Sequence, residues 1–218
     1  MSKFLKLLIA LCLCGSASAQ FLTKTRVPPR PNDEWRDVNI FEQYKLYPRV
    51  NVVPYQNEDD IEKLNYHESP HFVSLSGMWK MRSSYEYHDI AEEVENKDFS
   101  VDGWKDVNVP SLDYNVNSSV ITNALSISKK ENTTLTFYKE FDVPNIWEDY
   151  RAILQFQARS AYYIWVNHQF VGYSEDSRDY SEFDISKFLK YGEKNFVVIQ
   201  VISTSDGSLL ESNFSRSF

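Results

Sequence analysis

Three segments decide the fold: Arg151-Ala-Ile-Leu-Gln-Phe-Gln157, Ala161-Tyr-Tyr-Ile-Trp-Val166 and Gln169-Phe-Val-Gly-Tyr173. In the first, two sets of residues alternate with the two-residue period of a strand that buries one face. The other two are rich in β-branched and aromatic residues and flank Asn167-His168, which predicts a hairpin. Asn167 tolerates the positive φ of a two-residue turn, whereas His168 does so less readily than glycine would. Three strands, two of them paired as a hairpin, are therefore expected here.

The residues that follow predict a short helical turn and then a central strand. We expect Asp184 to be the N-cap of the turn Ile185-Ser-Lys-Phe-Leu-Lys-Tyr191, and Gly192 to end it. Asn195-Phe-Val-Val-Ile-Gln-Val-Ile202 is apolar enough to lie in the middle of a sheet. Antiparallel strands joined by hairpins and one short helical crossover favour an all-β sandwich with a few short helical turns.

Several short sequence motifs follow one another between residues 165 and 208. They are, in order, Trp165-Val-Asn167, Val171-Gly-Tyr173, Asp176-Ser-Arg178, Ser181-Glu-Phe-Asp184, Phe188-Leu189, Gly192-Glu193 and Ser205-Asp-Gly-Ser208. Their order and spacing resemble the β-galactosidases of glycoside hydrolase family 2. The resemblance implies the N-terminal sugar-binding domain of that family, a jelly-roll β-sandwich of the galactose-binding-domain-like type.

Earlier parts of the chain carry further motifs that resemble those of the same family. They are Glu34-Trp35-Arg36-Asp37, Val73-Ser-Leu-Ser-Gly-Met-Trp-Lys-Met81, Asp102-Gly-Trp104, Val107-Asn-Val-Pro-Ser111 and Thr136-Phe-Tyr-Lys-Glu-Phe-Asp-Val-Pro144. Two positions depart from the pattern, because Ser76 stands where the family has Asn and Met81 where it has Phe. After Ser111 the chain is shorter than the family and lacks its Asn-Trp word, which puts one sugar-stacking ring in doubt.

The first residues have the features of a signal peptide at residues 1–19. A basic start, an apolar run and a small-residue cleavage site stand at Lys3 and Lys6, at Leu7–Leu13 and at Ala17-Ser-Ala19. The apolar run is too short to span a bilayer, and we expect no membrane span. Both cysteines, Cys12 and Cys14, lie in this segment. Export without disulfides favours a periplasmic or secreted bacterial protein.

The composition and the positions of the prolines divide the rest of the chain into an arm, a domain and a tail. Residues 20–33 carry Pro28, Pro29 and Pro31 and predict an extended arm. Residues 34–211 are assigned to the jelly-roll domain, with a short surface helix expected within residues 56–65, and residues 212–218 form a divergent tail. The formal net charge of −8 argues against binding to nucleic acid, which requires basic patches.

No catalytic carboxylate pair is recognised in the chain. A retaining glycosidase needs two carboxyl groups facing each other about 5 Å apart, one protonated and one ionised. Glu58-Asp59-Asp60 and Glu92-Glu93 lie in polar runs and are interpreted as solvated faces. The resemblance implies that the catalytic acid and the nucleophile belong to a barrel domain beyond this sequence, which we interpret as a truncated or split β-galactosidase or a fragment of one.

Two site residues follow from the resemblance. Asn123 matches the family asparagine that reaches into the neighbouring barrel and hydrogen-bonds galactose. Asp206 matches the carboxylate that helps to hold a sodium ion beside the sugar, and a hard cation prefers such oxygen ligands. The resemblance also implies magnesium in full-length members. Without the resemblance, Asp206-Gly207 would be interpreted only as a turn.

Three functions remain open. In the first, the chain is the sugar-binding domain of a β-galactosidase that hydrolyses terminal β-D-galactosides only when joined, in cis or in trans, to a catalytic barrel. In the second it is a free-standing carbohydrate-binding module, and in the third an inactive remnant. The expected ligand is a galactoside or a galactose-containing glycan, and the chain by itself is not expected to hydrolyse a glycosidic bond.

Overall fold

The computed structural model describes residues 33–50, 52, 55, 58–62, 65–110, 127–130 and 132–214. The strands within these ranges are β1 (Glu42–Gln43), β2 (Gly77–Ser84), β3 (Lys105–Val109), β4 (Thr134–Asp142), β5 (Ile153–Phe156), β6 (Tyr162–Val166), β7 (Gln169–Ser174), β8 (Ser181–Asp184) and β9 (Lys194–Ile202). The α-helices are α1 (Glu58–Glu62), α2 (Ala91–Glu95) and α3 (Asp206–Phe214). Short 3-10 helices stand at Glu34–Arg36, Tyr66–Glu68, Asn145–Trp147 and Ser186–Phe188. The predicted signal peptide and nearly all of the predicted arm lie outside the described residues.

The strands form one large and one small antiparallel sheet. The large sheet has the order β1-β7-β6-β9-β4-β2-β3, and the small sheet pairs β5 with β8. β9 lies between β6 and β4 and pairs with β4 along its whole length, from Thr134↔Ile202 to Asp142↔Lys194. The predicted all-β sandwich and the central position of this strand are both confirmed.

The predicted hairpin joins β6 to β7 through Asn167 and His168. Both residues have positive φ, 47° and 67°. Asn167 Nδ2 donates to Phe188 O at 2.8 Å, and the His168 ring packs edge-on against Phe196 with centroids 4.8 Å apart. These contacts hold His168 in a conformation that a residue with a Cβ rarely adopts.

The predicted helical turn after β8 is shorter than expected. The 3-10 helix covers only Ser186–Phe188, and the residue that precedes it is Ile185 rather than Asp184. Asp184 instead forms a local turn, because its Oδ1 accepts from Ser186 N at 3.1 Å and from Ser186 Oγ at 2.7 Å. Gly192 lies beyond the helix end, and its φ of 71° turns the chain into β9. The expected N-cap and helix end were therefore misplaced.

The two faces of the large sheet have separate cores. One face packs against β5 and β8, and its buried residues include Trp79, Leu154, Ile164, Phe183 and Ile199. The opposite face packs against the N-terminal 3-10 helix and α2, and its buried residues include Trp35, Ile90, Val94, Tyr163 and Trp165. The predicted surface helix is present as α1, in which Ile61 is exposed.

Residues 33–50, called here the N-terminal strap, cover the edge of β7. Gln43 pairs with Tyr173 in the short β1–β7 ladder, and Glu175 N donates to Phe41 O at 3.1 Å. Farther along, Leu46 N donates to Glu182 O at 2.8 Å, so the strap also reaches β8. None of the helices within the described ranges is long and apolar enough to cross a membrane.

Candidate functional site

Asp206 is the first residue of α3, and the chain enters this helix soon after the end of β9. The flanking serines form a reciprocal cap, because Ser208 N donates to Ser205 Oγ at 3.1 Å and Ser205 N donates to Ser208 Oγ at 2.9 Å. Such a cap satisfies amides that a helix start leaves unpaired. The interpretation of Asp206-Gly207 as only a turn is therefore wrong, because these residues begin a helix.

The Asp206 carboxylate is buried, with 7% of the residue exposed. Its Oδ1 accepts from Gly207 N at 3.0 Å. Its Oδ2 is buried and accepts no hydrogen bond from an amide or hydroxyl group in the part of the chain that the structure describes. A buried carboxylate oxygen in this state has given up water without an equivalent replacement, which costs free energy.

Glu175, the residue after β7, lies against the first turn of α3. It is 3% exposed, and its Oε2 accepts from Gly207 N at 2.7 Å while its Oε1 accepts from the Tyr173 hydroxyl. Burial and a hydrogen bond to the Asp206 carboxyl raise the pKa of Glu175 to about 8. Both carboxyl groups accept from the same amide, Gly207 N, which brings the two side chains together at the start of α3.

A third buried carboxyl group, that of Glu34, lies on the same side of the sheet. Its Oε2 accepts from the Tyr163 hydroxyl at 2.7 Å and its Oε1 accepts from Gln43 Nε2 at 3.0 Å. The Tyr163 and Tyr173 rings are neighbours across the hairpin, with centroids 4.8 Å apart. Burial raises the pKa of both tyrosines, which keeps their hydroxyls protonated as donors to the two carboxylates.

Asn132, just ahead of β4, holds the segment that leads into Asp206. It is 2% exposed, its Nδ2 donates to Thr204 O at 2.7 Å, and its Oδ1 accepts from Thr204 N at 3.0 Å. Ser160 Oγ donates to Ser205 Oγ at 3.2 Å and adds a second anchor. The backbone at Asp206 is thus fixed by contacts with two distant parts of the chain.

Replacing Asn132 by alanine is expected to lower the free energy of unfolding by about 2 to 3 kcal/mol, because the buried Thr204 N–H and C=O lose their side-chain partners. Urea unfolding monitored by tryptophan fluorescence measures the change. Gln169→Ala, which removes an exposed side-chain amide from β7, is the matched control and should stay within about 0.5 kcal/mol of the parent. Equal losses in the two variants would show that Asn132 does not hold this segment.

Asn123 lies outside the described residues, so its predicted role stays a prediction. Glu93 is half-exposed; against the effect of burial, hydrogen bonds from His88 at 2.5 Å and Arg82 at 2.9 Å lower its pKa. Within the described ranges no group of three or more His, Cys, Asp or Glu residues is arranged to hold a metal ion.

The sequence predicted no site role for Glu34, Tyr163, Tyr173 or Glu175, although the first three lie in segments quoted above. One signal was available, because Tyr173 and Glu175 are two residues apart and the strand period places them on one face. A glutamate at the end of an otherwise apolar strand is interpreted by default as solvated, and its burial became evident only with α3 placed over it.

Comparison with known proteins gives consistent results. The family model for "Glycosyl hydrolases family 2, sugar binding domain" matches residues 72–215. A β-galactosidase of Priestia megaterium is 30% identical over 207 residues, covering 84% of this chain and 19% of the relative. A β-galactosidase of Halalkalibacterium halodurans is 30% identical over 196 residues, covering 83% and 19%. A solved β-glucuronidase structure from Ruminococcus gnavus is 21% identical and covers 59% of this chain and 21% of that one, with a TM-score of 0.43.

The family match covers most of the sandwich. It begins before β2 and continues into α3, so it includes both the central strand and the buried Asp206. The chain spans 19% of the length of each of the two β-galactosidases. On this evidence the chain belongs to glycosyl hydrolase family 2, as its sequence motifs predicted, and contains the family's sugar binding domain.

Proposed function

We propose that this chain is the sugar-binding part of a β-galactosidase and supports hydrolysis of terminal β-D-galactosides when joined, in cis or in trans, to a catalytic barrel. The observation that carries the proposal is the Asp206 carboxylate, which is buried and keeps one oxygen, Oδ2, without an amide or hydroxyl partner among the described residues. The 30% identity to β-galactosidases over most of the chain supports the choice of substrate.

Asp206 Oδ2 suits a sodium ion beside the sugar. A hard cation prefers oxygen ligands, and a carboxylate oxygen that accepts from no amide or hydroxyl group of the described residues retains a lone pair for one. When bound, sodium would supply positive charge that orients a sugar hydroxyl. Asp206 is one oxygen ligand, so further ligands must come from the sugar, from water or from the joined barrel. The magnesium implied for full-length members is assigned to no residue of this chain.

Asn123 would add a hydrogen bond to galactose from the same domain. We assign the cleavage of the glycosidic bond to neither Asn123 nor Asp206, because that step requires a carboxylic acid and a facing carboxylate. The work of this chain is therefore to bind and orient the substrate. Such contacts raise the rate by holding the sugar in the reactive geometry for groups that belong to the barrel.

The test is a chimera in which this chain replaces the matching region of the Priestia megaterium β-galactosidase, assayed with o-nitrophenyl β-D-galactoside. We expect hydrolysis, and we expect Asp206→Asn to reduce kcat/KM by about 10 to 100-fold, the usual cost of disturbing a metal site. Asp179→Asn removes an exposed carboxylate from the nearby β7–β8 loop and should leave hydrolysis unchanged.

A folded chimera without activity would contradict the proposal. In that case the chain alone is titrated with galactose while its tryptophan fluorescence is followed. Quenching at millimolar sugar would favour a free-standing carbohydrate-binding module, and no change would favour an inactive remnant.

A further inference from the structure

Glu175 and Asp206 accept from the same amide at the start of α3. Glu175 Oε2 accepts from Gly207 N at 2.7 Å, and Asp206 Oδ1 accepts from it at 3.0 Å. From the other side, the Tyr173 hydroxyl donates to Glu175 Oε1. The side chain is thus held by β7 and in turn contacts the first turn of α3.

The space between Glu175 and α3 is closed to any larger residue at position 207. A Cβ added at Gly207 would lie 2.9 Å from the Glu175 Cβ and would overlap the Glu175 carboxyl. Real Cβ atoms do not approach so closely, so glycine is required for the contact. Glu175 and Gly207 fit together as a pair, and their contact places the glutamate carboxyl next to Asp206.

The backbone and the side chain of Asp206 have different supports. Asn132, Ser160 and the Ser205–Ser208 cap fix the backbone, as described above. The Asp206 side chain has its own hydrogen bond to Gly207 N, an amide that it shares with the Glu175 carboxyl. Glu175 takes no part in the Ser205–Ser208 cap, so its contact with this amide is separate from the contacts that fix the backbone.

We propose that Glu175 is a positioning residue, which holds the Asp206 carboxylate in the one rotamer that presents Oδ2 to its ligand. The part of this inference that concerns ligand binding rests on the proposed function. The part that concerns the rotamer of Asp206 does not, and it can be measured on the chain alone.

The decisive variants are Glu175→Gln and Glu175→Met. Glutamine keeps an oxygen acceptor for Gly207 N and an amide donor for Asp206, and the Tyr173 hydroxyl can accept as well as donate. Methionine has nearly the same length but offers neither group. A purely space-filling role predicts that methionine serves as well as glutamine, whereas a positioning role predicts that only glutamine does.

The first measurement is NMR of the labelled chain in choline buffer. Three-bond couplings to the Asp206 Cγ report its χ1, and the Gly207 amide is found among only six glycines. We expect one fixed Asp206 rotamer and a downfield Gly207 amide in the parent and in Glu175→Gln, and averaged couplings with an upfield amide in Glu175→Met. A single Asp206 rotamer in Glu175→Met would overturn the proposal.

Tyr173→Phe keeps the proposal testable if Glu175→Met does not fold. This variant removes the hydroxyl that holds Glu175 Oε1 and leaves every carboxyl group in place. We expect partial averaging of the Asp206 couplings, and couplings identical to those of the parent would count against the proposal.

The second measurement uses the chimera with sodium as the variable. Glu175→Met should raise the sodium concentration for half-maximal hydrolysis by about tenfold, Glu175→Gln should restore it to near the parent value, and Asp179→Asn should not change it. An inactive parent chimera would contradict the proposed function alone, because the NMR result stands without it. An active chimera in which Glu175→Met responds to sodium like the parent would overturn the positioning role.

Discussion

Replacing Glu175 by glutamine is expected to flatten the dependence of the unfolding free energy on pH between about pH 5 and pH 8. The pKa of Glu175 is raised from 4.5 to about 8 in the folded chain by burial and by Asp206. Between these two values the folded state keeps a proton that the unfolded state has lost. Stability therefore falls as pH rises, by up to about 1.4 kcal/mol per pH unit, and the fall ends above the folded pKa.

The measurement is urea unfolding at pH 5, 6, 7 and 8 in choline buffer, so that no metal cation binds to the carboxylates. The parent should lose stability steadily relative to Glu175→Gln, which cannot ionise. Glu148→Gln, at an exposed position, should run parallel to the parent. If the Glu175→Gln and parent curves were also parallel, the proton would not reside on this pair.

Replacing Trp35 by alanine is expected to lower the free energy of unfolding by about 3 to 5 kcal/mol, the range for truncating a large buried aromatic side chain. Trp35 is fully buried in the second core, with its ring centroid 5.1 Å from that of Tyr87. It also lies next to Glu34, whose carboxylate accepts from Tyr163. Loss of the indole would therefore leave a cavity and loosen the strap at its most buried point.

Urea unfolding of the chain with and without the substitution gives the change in free energy. Tyr47→Ala is the control from the same strap, because Tyr47 is 91% exposed and its removal should cost less than about 0.5 kcal/mol. A Trp35→Ala variant as stable as Tyr47→Ala would mean that the strap is not part of the cooperative folding unit.

The strands were predictable because the pattern of apolar residues within a few positions shows which faces of a strand are buried. Alternation predicted β5, and the mostly apolar segment 195–202 predicted that β9 lies at the centre of the sheet, since a strand covered on both faces carries apolar residues on both. The hairpin was predictable from Asn167, a residue that accepts positive φ. The nearby helix end was not, because a three-residue 3-10 turn depends on one or two hydrogen bonds that several neighbouring residues could provide.

The site was less predictable because its contacts join distant residues. Glu34 accepts a hydrogen bond from Tyr163, and Glu175 accepts one from Gly207. Each pair is so far apart in sequence that no periodic pattern of residues indicates the contact. Asp206 was identified through the family resemblance. The residues themselves favoured a turn, because Asp-Gly is a common turn dipeptide, although the Ser205–Ser208 spacing also fits a helix cap. Only the packing of α3 over β7 distinguishes the two.

The burial of Asn132 also bears on the choice of expression host. Asn132-Thr-Thr134 has the acceptor sequence for N-linked glycosylation, yet the side-chain amide of Asn132 lies inside the fold and is bonded to Thr204. A folded molecule cannot present it, and a glycan attached to the nascent chain would have no room once β4 and β9 close. Production in a eukaryotic secretory pathway would thus set oligosaccharide transfer against folding, a competition that a bacterial host does not impose.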